Sequence, residues 1–242
     1  FLAGNAGISD VDYLAYWGYA TSICTLIVAI LGPTLGAIAD TKNFKKIIFS
    51  ISMGVGVFGC ILLGFLSSWI WFLGVFVLAK TGYSASLVFY DAMLTDVTEP
   101  DRMDSVSSHG YAWGYIGSCI PFIACLAIVL GAGSLGVGMQ TSMILAFLIT
   151  ALWWLFSSVP LLRSYRQRDF SEPGEHVVSS SFKRLGRTFV ELAKDKRILV
   201  FLIAFFFYID GVYTVIDMAT AYGQALGLDS TGLLLALLVT QI

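Results

Sequence analysis

Three stretches of this chain contain no Asp, Glu, Lys or Arg: residues 13–39, 47–79 and 106–162. A helix crosses the hydrocarbon core of a bilayer with ~20 apolar residues. The first stretch is one span, and the other two are too long for a single helix and must turn. With 57% hydrophobic and 12% charged residues, the chain falls outside soluble globular proteins, where about 25% of residues are charged. No basic face with interleaved aromatics lies outside the membrane-flanking loops, so nucleic acid is not an expected partner. The composition predicts an all-α polytopic membrane protein.

Taken in order, residues 1–12 form a polar lead-in without Lys or Arg. Span 13–39 carries Pro33, where a kink is expected because membrane helices tolerate proline. The second run breaks at Ser67-Ser68, giving spans 47–66 and 69–90, with Trp69 and Trp71 in the interfacial aromatic belt. Pro100 breaks the acidic stretch 91–105, and a glycine-rich turn over 131–138 divides the third run into spans 107–130 and 139–162. Residues 198–221 make a further span, and Gly232 opens another. The chain begins at Phe1, not Met, and that last run has reached only eleven residues at Ile242. We therefore expect a fragment.

Alternating helices put loops 40–46, 91–106 and 163–197 on one side, and these hold 13 of the 14 Lys and Arg residues. Basic residues beside membrane spans stay cytoplasmic, which assigns that side. Nine of the fourteen lie in 163–197 alone. Within it, Phe182, Leu185, Phe189 and Leu192 recur at helical spacing, as in an amphipathic helix on the membrane surface; a partly disordered linker is the alternative. The expected organisation is an N-terminal transmembrane half over 1–162 lacking its first helix, a cytoplasmic linker over 163–197, and the truncated start of a second half over 198–242. Cys24, Cys60, Cys119 and Cys125 all fall in apolar runs and read as buried filler. Nothing in the sequence has the spacing of a metal site, a phosphate-binding loop or another cofactor site, so no enzyme is expected.

Two segments carry more specific information. The loop Gly36-Ala-Ile-Ala-Asp40-Thr41-Lys42-Asn43-Phe44-Lys45-Lys46 resembles the G-x-x-x-D-R-x-G-R-R/K loop between the second and third helices of the major facilitator superfamily. Gly36 suits close helix contact, Asp40 can pair or cap, and the lysines sit beside a helix C-terminus. Asn43 replaces a glycine and accepts the left-handed conformation. Phe89-Tyr90-Asp91-Ala-Met-Leu-Thr-Asp96, the His109-Gly110 region and Phe207-Tyr208-Ile209-Asp210-Gly211 are similar to the vacuole-effluxer branch of that superfamily, which has fungal and bacterial members. Thr41, Phe44, His109 and Ile209 depart from its pattern. The resemblance implies a helical bundle of the major facilitator type, present from about the second helix to the start of the eighth. It also implies amino-acid efflux, and a bacterial inner membrane or, in a fungus, the vacuole.

Charges inside spans are the candidate functional groups. One at mid-helix costs ~2.5–3.5 kcal/mol on insertion scales and normally faces an aqueous cavity or a partner. Lys80 lies about eleven residues from either end of its span, roughly 16 Å at 1.5 Å per residue, beyond the reach of a snorkelling stem. Asp210 is similarly deep, and Asp217 is seven residues on, along the same face. Lys80, Asp210, Asp217, Tyr208 and Tyr213 are the candidates for binding substrate or a proton; a fixed Lys80–Asp210 pair is the alternative. Tyr83, Tyr90 and Tyr115 are further hydroxyls for a cavity or for packing. Gly36, Asp40, Lys42, Lys45, Lys46, Asp91 and Asp96 form a candidate cytoplasmic gate. Gly110, Gly114 and Gly117 share one helix face suited to close packing. His109 reads as a capping group or a pH sensor. The reading is a secondary active transporter for a small polar solute, driven by protons through alternating access. A non-transporting membrane scaffold or complex subunit that kept the fold competes with it.

Overall fold

The computed structural model describes residues 6–134, 136–170, 186–187 and 190–240. The described elements are α1 (Asp10–Ala39), α2 (Phe44–Leu63), α3 (Trp69–Ala92), the short α4 (Leu94–Val97), a 3-10 turn (Pro100–Arg102), α5 (Met103–Leu130), α6 (Met139–Ser164), α7 (Lys196–Ala225) and α8 (Ser230–Val239). Six described helices are long and apolar enough to cross a membrane, and the chain is an all-α polytopic membrane protein. Of the apolar positions of the predicted amphipathic helix, Phe182, Leu185 and Phe189 lie outside the described residues, and Leu192 sits in a helical stretch.

Local chemistry sets several helix boundaries. Ser9 Oγ accepts the backbone N–H of Asp12 at the start of α1, Asp195 accepts those of Arg197 and Ile198 at α7, and Asp229 accepts that of Gly232 at α8. Each supplies an acceptor to N–H groups that a helix leaves open in its first turn. Helix α1 runs through Pro33 as one element. Asn43 takes φ 68° between α1 and α2, the left-handed turn that a β-branched side chain resists.

The tightest packing joins α2 to α3. A Cβ at Gly82 would stand 2.7 Å from the backbone nitrogen of Gly56 and 2.8 Å from the Ser52 carbonyl oxygen. One at Gly59 would stand 2.7 Å from the Ala79 Cβ, and one at Gly56 would meet the Trp154 ring of α6 at 2.4 Å. Ala79 and Gly82 therefore face α2, and Lys80, rotated by about 100° from Ala79, points elsewhere. Ile48, Phe49, Met53 and Val57 of α2, Phe89 of α3 and Ala151 of α6 form the core beneath this crossing, toward the basic end. The loop motif suggests close helix contact at Gly36, and the helical spacing suggests it at Gly110, Gly114 and Gly117. At all four positions the structure leaves open space where a side chain would stand, and between α2 and α3 the close approach is made at Gly56, Gly59 and Gly82.

Candidate functional site

Two charged centres lie at different depths. The first is at the basic end, where the α1–α2 loop, α4 and the segment after α6 converge. Lys45, in the first turn of α2, sends its ammonium inward to Asp96 Oδ2 at 2.8 Å, and both side chains are almost fully buried. Tyr165 donates its hydroxyl to the same oxygen. The other oxygen, Oδ1, accepts the backbone N–H groups of Arg168 at 2.9 Å and Asp169 at 3.0 Å. Four donors around one carboxylate satisfy it as fully as a buried charge requires.

Gln167 adds a strap, donating to the Ala39 carbonyl at 3.1 Å while its side-chain oxygen accepts from the Lys45 backbone N–H at 3.4 Å. Lys42 stands over the Phe170 ring at 5.2 Å, within cation–π range. Burial, and the hydrogen bond to the Asp96 carboxylate, push the Tyr165 phenol above its ordinary pKa. The structure thus brings Lys42, Lys45 and Asp96 of the predicted gate together. Asp40 and Asp91 are exposed, and Lys46 is half-buried. The segment 165–170, which reads in the sequence only as the start of a polar linker, is part of this clasp.

The second centre lies deeper in the membrane. Lys80 of α3 forms an ion pair with Asp217 of α7. This corrects the expected Lys80–Asp210 alternative. Asp210 lies two turns earlier on α7 and is exposed, as are Tyr208 and Tyr213. Residues seven apart share a face, so periodicity alone does not choose between the two carboxylates; the seating of α7 on α1 does. Along that seam Trp17 Nε1 donates to the Asp217 carbonyl at 2.9 Å, and Tyr13 donates to Gln224 Oε1 at 3.3 Å. Tyr83 packs its ring edge-to-face on Trp154 of α6, with centroids 5.6 Å apart, and Tyr115 is exposed. His109 Nδ1 stands 2.7 Å from the Ser105 carbonyl oxygen within its own helix, a contact in which the carbonyl accepts, and the ring has no described contact with either centre. Trp17 and Tyr165 escaped the sequence reading, since a Trp near a span end suggests an interfacial belt and a Tyr beyond one suggests a loop.

Among the described residues, no three His, Cys, Asp or Glu side chains lie close enough to hold a metal ion. The four cysteines are free thiols.

Residues 4–242 match the family model described as vacuole effluxer Atg22 like. The chain is 42% identical, over 99% of its length, to a Bacillus subtilis protein named an uncharacterized MFS-type transporter, YxiO, and covers 57% of that protein. It is 24% identical to autophagy-related protein 22 of Coccidioides immitis, over 93% of this chain and 47% of that one. Autophagy-related protein 22-1 of Aspergillus fumigatus is 31% identical over 49% of this chain and 21% of its own length. The chain thus spans about half the length of the first two relatives. No solved structure matches it.

Proposed function

The chain belongs to the vacuole effluxer Atg22-like family, and from that premise we propose that it is part of a secondary active transporter for a small polar solute. The observation that carries this reading is the Lys80–Asp217 pair. An ion pair within the membrane, joining α3 of a first half (1–162) to α7 of a second (198–242), must break and re-form if the halves rock about a central site. A proton on Asp217 would release Lys80. A zwitterionic amino acid would offer an ammonium to the one and a carboxylate to the other. Asp210, Tyr208 and Tyr213 line the same helix and would meet the solute as the halves part. By the positive-inside rule the Asp96 clasp is cytoplasmic, and with Gly36, Asp40, Lys42, Lys46 and Asp91 it would serve as the gate on that side. The first expectation is proton-coupled efflux of amino acids.

The same pair supports a second reading. A lysine and an aspartate that never separate would only hold two halves together, as in a scaffold that retains the fold. Reconstitution into proteoliposomes separates the readings: uptake of a labelled amino-acid panel is followed with and without an inward proton gradient, for wild type, Asp217→Asn, Asp210→Asn and Lys80→Met. Gradient-driven uptake that is lost in the Asp217 and Lys80 variants supports the transporter. Folded wild-type protein that moves no member of this or a wider solute panel moves the weight to the scaffold.

A further inference from the structure

Trp17 touches both helices that carry the intramembrane ion pair. Its ring lies against Phe76 of α3, with centroids 4.4 Å apart and planes inclined at 32°. Phe76 is four residues before Lys80 and therefore on the same face of α3, one turn away. On its other side the Trp17 indole N–H reaches the backbone carbonyl of Asp217, the residue whose carboxylate holds Lys80. A helical carbonyl oxygen has a second lone pair free for such a bond. Neighbouring contacts keep the same antiparallel register along α1 and α7. Tyr13 meets Gln224, and a Cβ at Gly18 would stand 3.8 Å from Met218 Cε. A tryptophan that merely anchored α1 in the interfacial belt would offer its N–H to headgroups and water. This one gives it to α7.

We propose that Trp17 is the positioning residue of the Lys80–Asp217 pair, a bracket that sets the spacing of α3 and α7 so that breaking the pair and parting the α1–α7 seam are one event. The inference rests on the reading that this pair opens during transport, but its test does not require transport. The protein is examined in its membrane with Cys24, Cys60, Cys119 and Cys125 replaced by Ala, and with Tyr13→Cys and Gln224→Cys placed across the seam. A short bifunctional thiol reagent then reports how often the seam is closed. Trp17→Phe keeps the ring against Phe76 and removes only the donor. It should slow cross-linking roughly two- to tenfold, the ratio carried by one ordinary hydrogen bond. Lys80→Gln should slow it as well, and the double variant should slow it by less than the product of the two, because the bracket acts through the pair.

A cross-linking rate unchanged by Trp17→Phe overturns the proposal. So does a double variant whose effect equals that product, since Trp17 would then be an independent tether. Failure of wild-type protein to transport any solute would remove the transporter reading alone, leaving the cross-linking comparison to decide the role of Trp17.

Discussion

Asp96 and Asp217 each hold a lysine, yet the Asp96 side chain is 0% exposed and its partner 6%, whereas both members of the Lys80–Asp217 pair keep 22%. Asp96 is surrounded by donors from α2 and from the segment after α6. Removing one partner from such a set leaves a charge that water cannot reach. The Asp217 carboxylate is held by Lys80, while Trp17 holds only its backbone. Among the described residues, Lys80 is the one donor to that carboxylate. The difference comes from how many donors surround each, since the residue types are the same.

Asp96→Ala should cost about 3–5 kcal/mol of stability, because it strands Lys45 in a buried site; unfolding of the purified protein followed against denaturant would report it. A loss no larger than that at an exposed pair would mean the clasp is not structural. Tyr165→Phe removes one donor to a charged acceptor and should cost about 1.5 kcal/mol, with protease cleavage near 165–170 accelerated in parallel. Lys80→Met should sharpen the contrast. Stability should fall by less than in Asp96→Ala, because one contact to a carboxylate is lost and not a set of four donors left unpaired, while solute flux falls by over an order of magnitude. Equal losses of fold and flux would make the deeper pair a second clasp. The smallest effect belongs to Arg168→Ala. Its pair with Glu99 is 60% and 71% exposed, and the melting temperature should barely move, by the equivalent of at most about 0.5 kcal/mol.

Much of the fold is legible in the sequence because the membrane constrains it one helix at a time. Uncharged runs mark the spans, and Ser67-Ser68 marks the turn before α3, which begins at Trp69. The low steric cost of Asn in a left-handed turn marks Asn43. Helix α5 begins at Met103, four residues before the expected span, because the turn at Pro100 leads straight into it. What periodicity leaves open is the partner. Gly110, Gly114 and Gly117 share a face, but spacing does not say what covers a face. Asp210 and Asp217 share one too, and only the register of α7 on α1 assigns Lys80 to the second. Tyr165 and Gln167 look like the first polar residues after a span, and their role follows from folding back onto Asp96 and Ala39.

Helix α1 passes through both centres. Near one end it carries Trp17 against Asp217, and at the other its Ala39 carbonyl is tied to Gln167. These points are 22 residues apart along one continuous helix, roughly 33 Å at 1.5 Å per residue. A rod of that length pinned at one end is a lever. A tilt of about 5° about the clasp would sweep the Trp17 end through roughly 3 Å on that rise per residue, the length of a hydrogen bond. Changes in the strap at the basic end are therefore geometrically large enough to be felt at the ion pair inside the membrane.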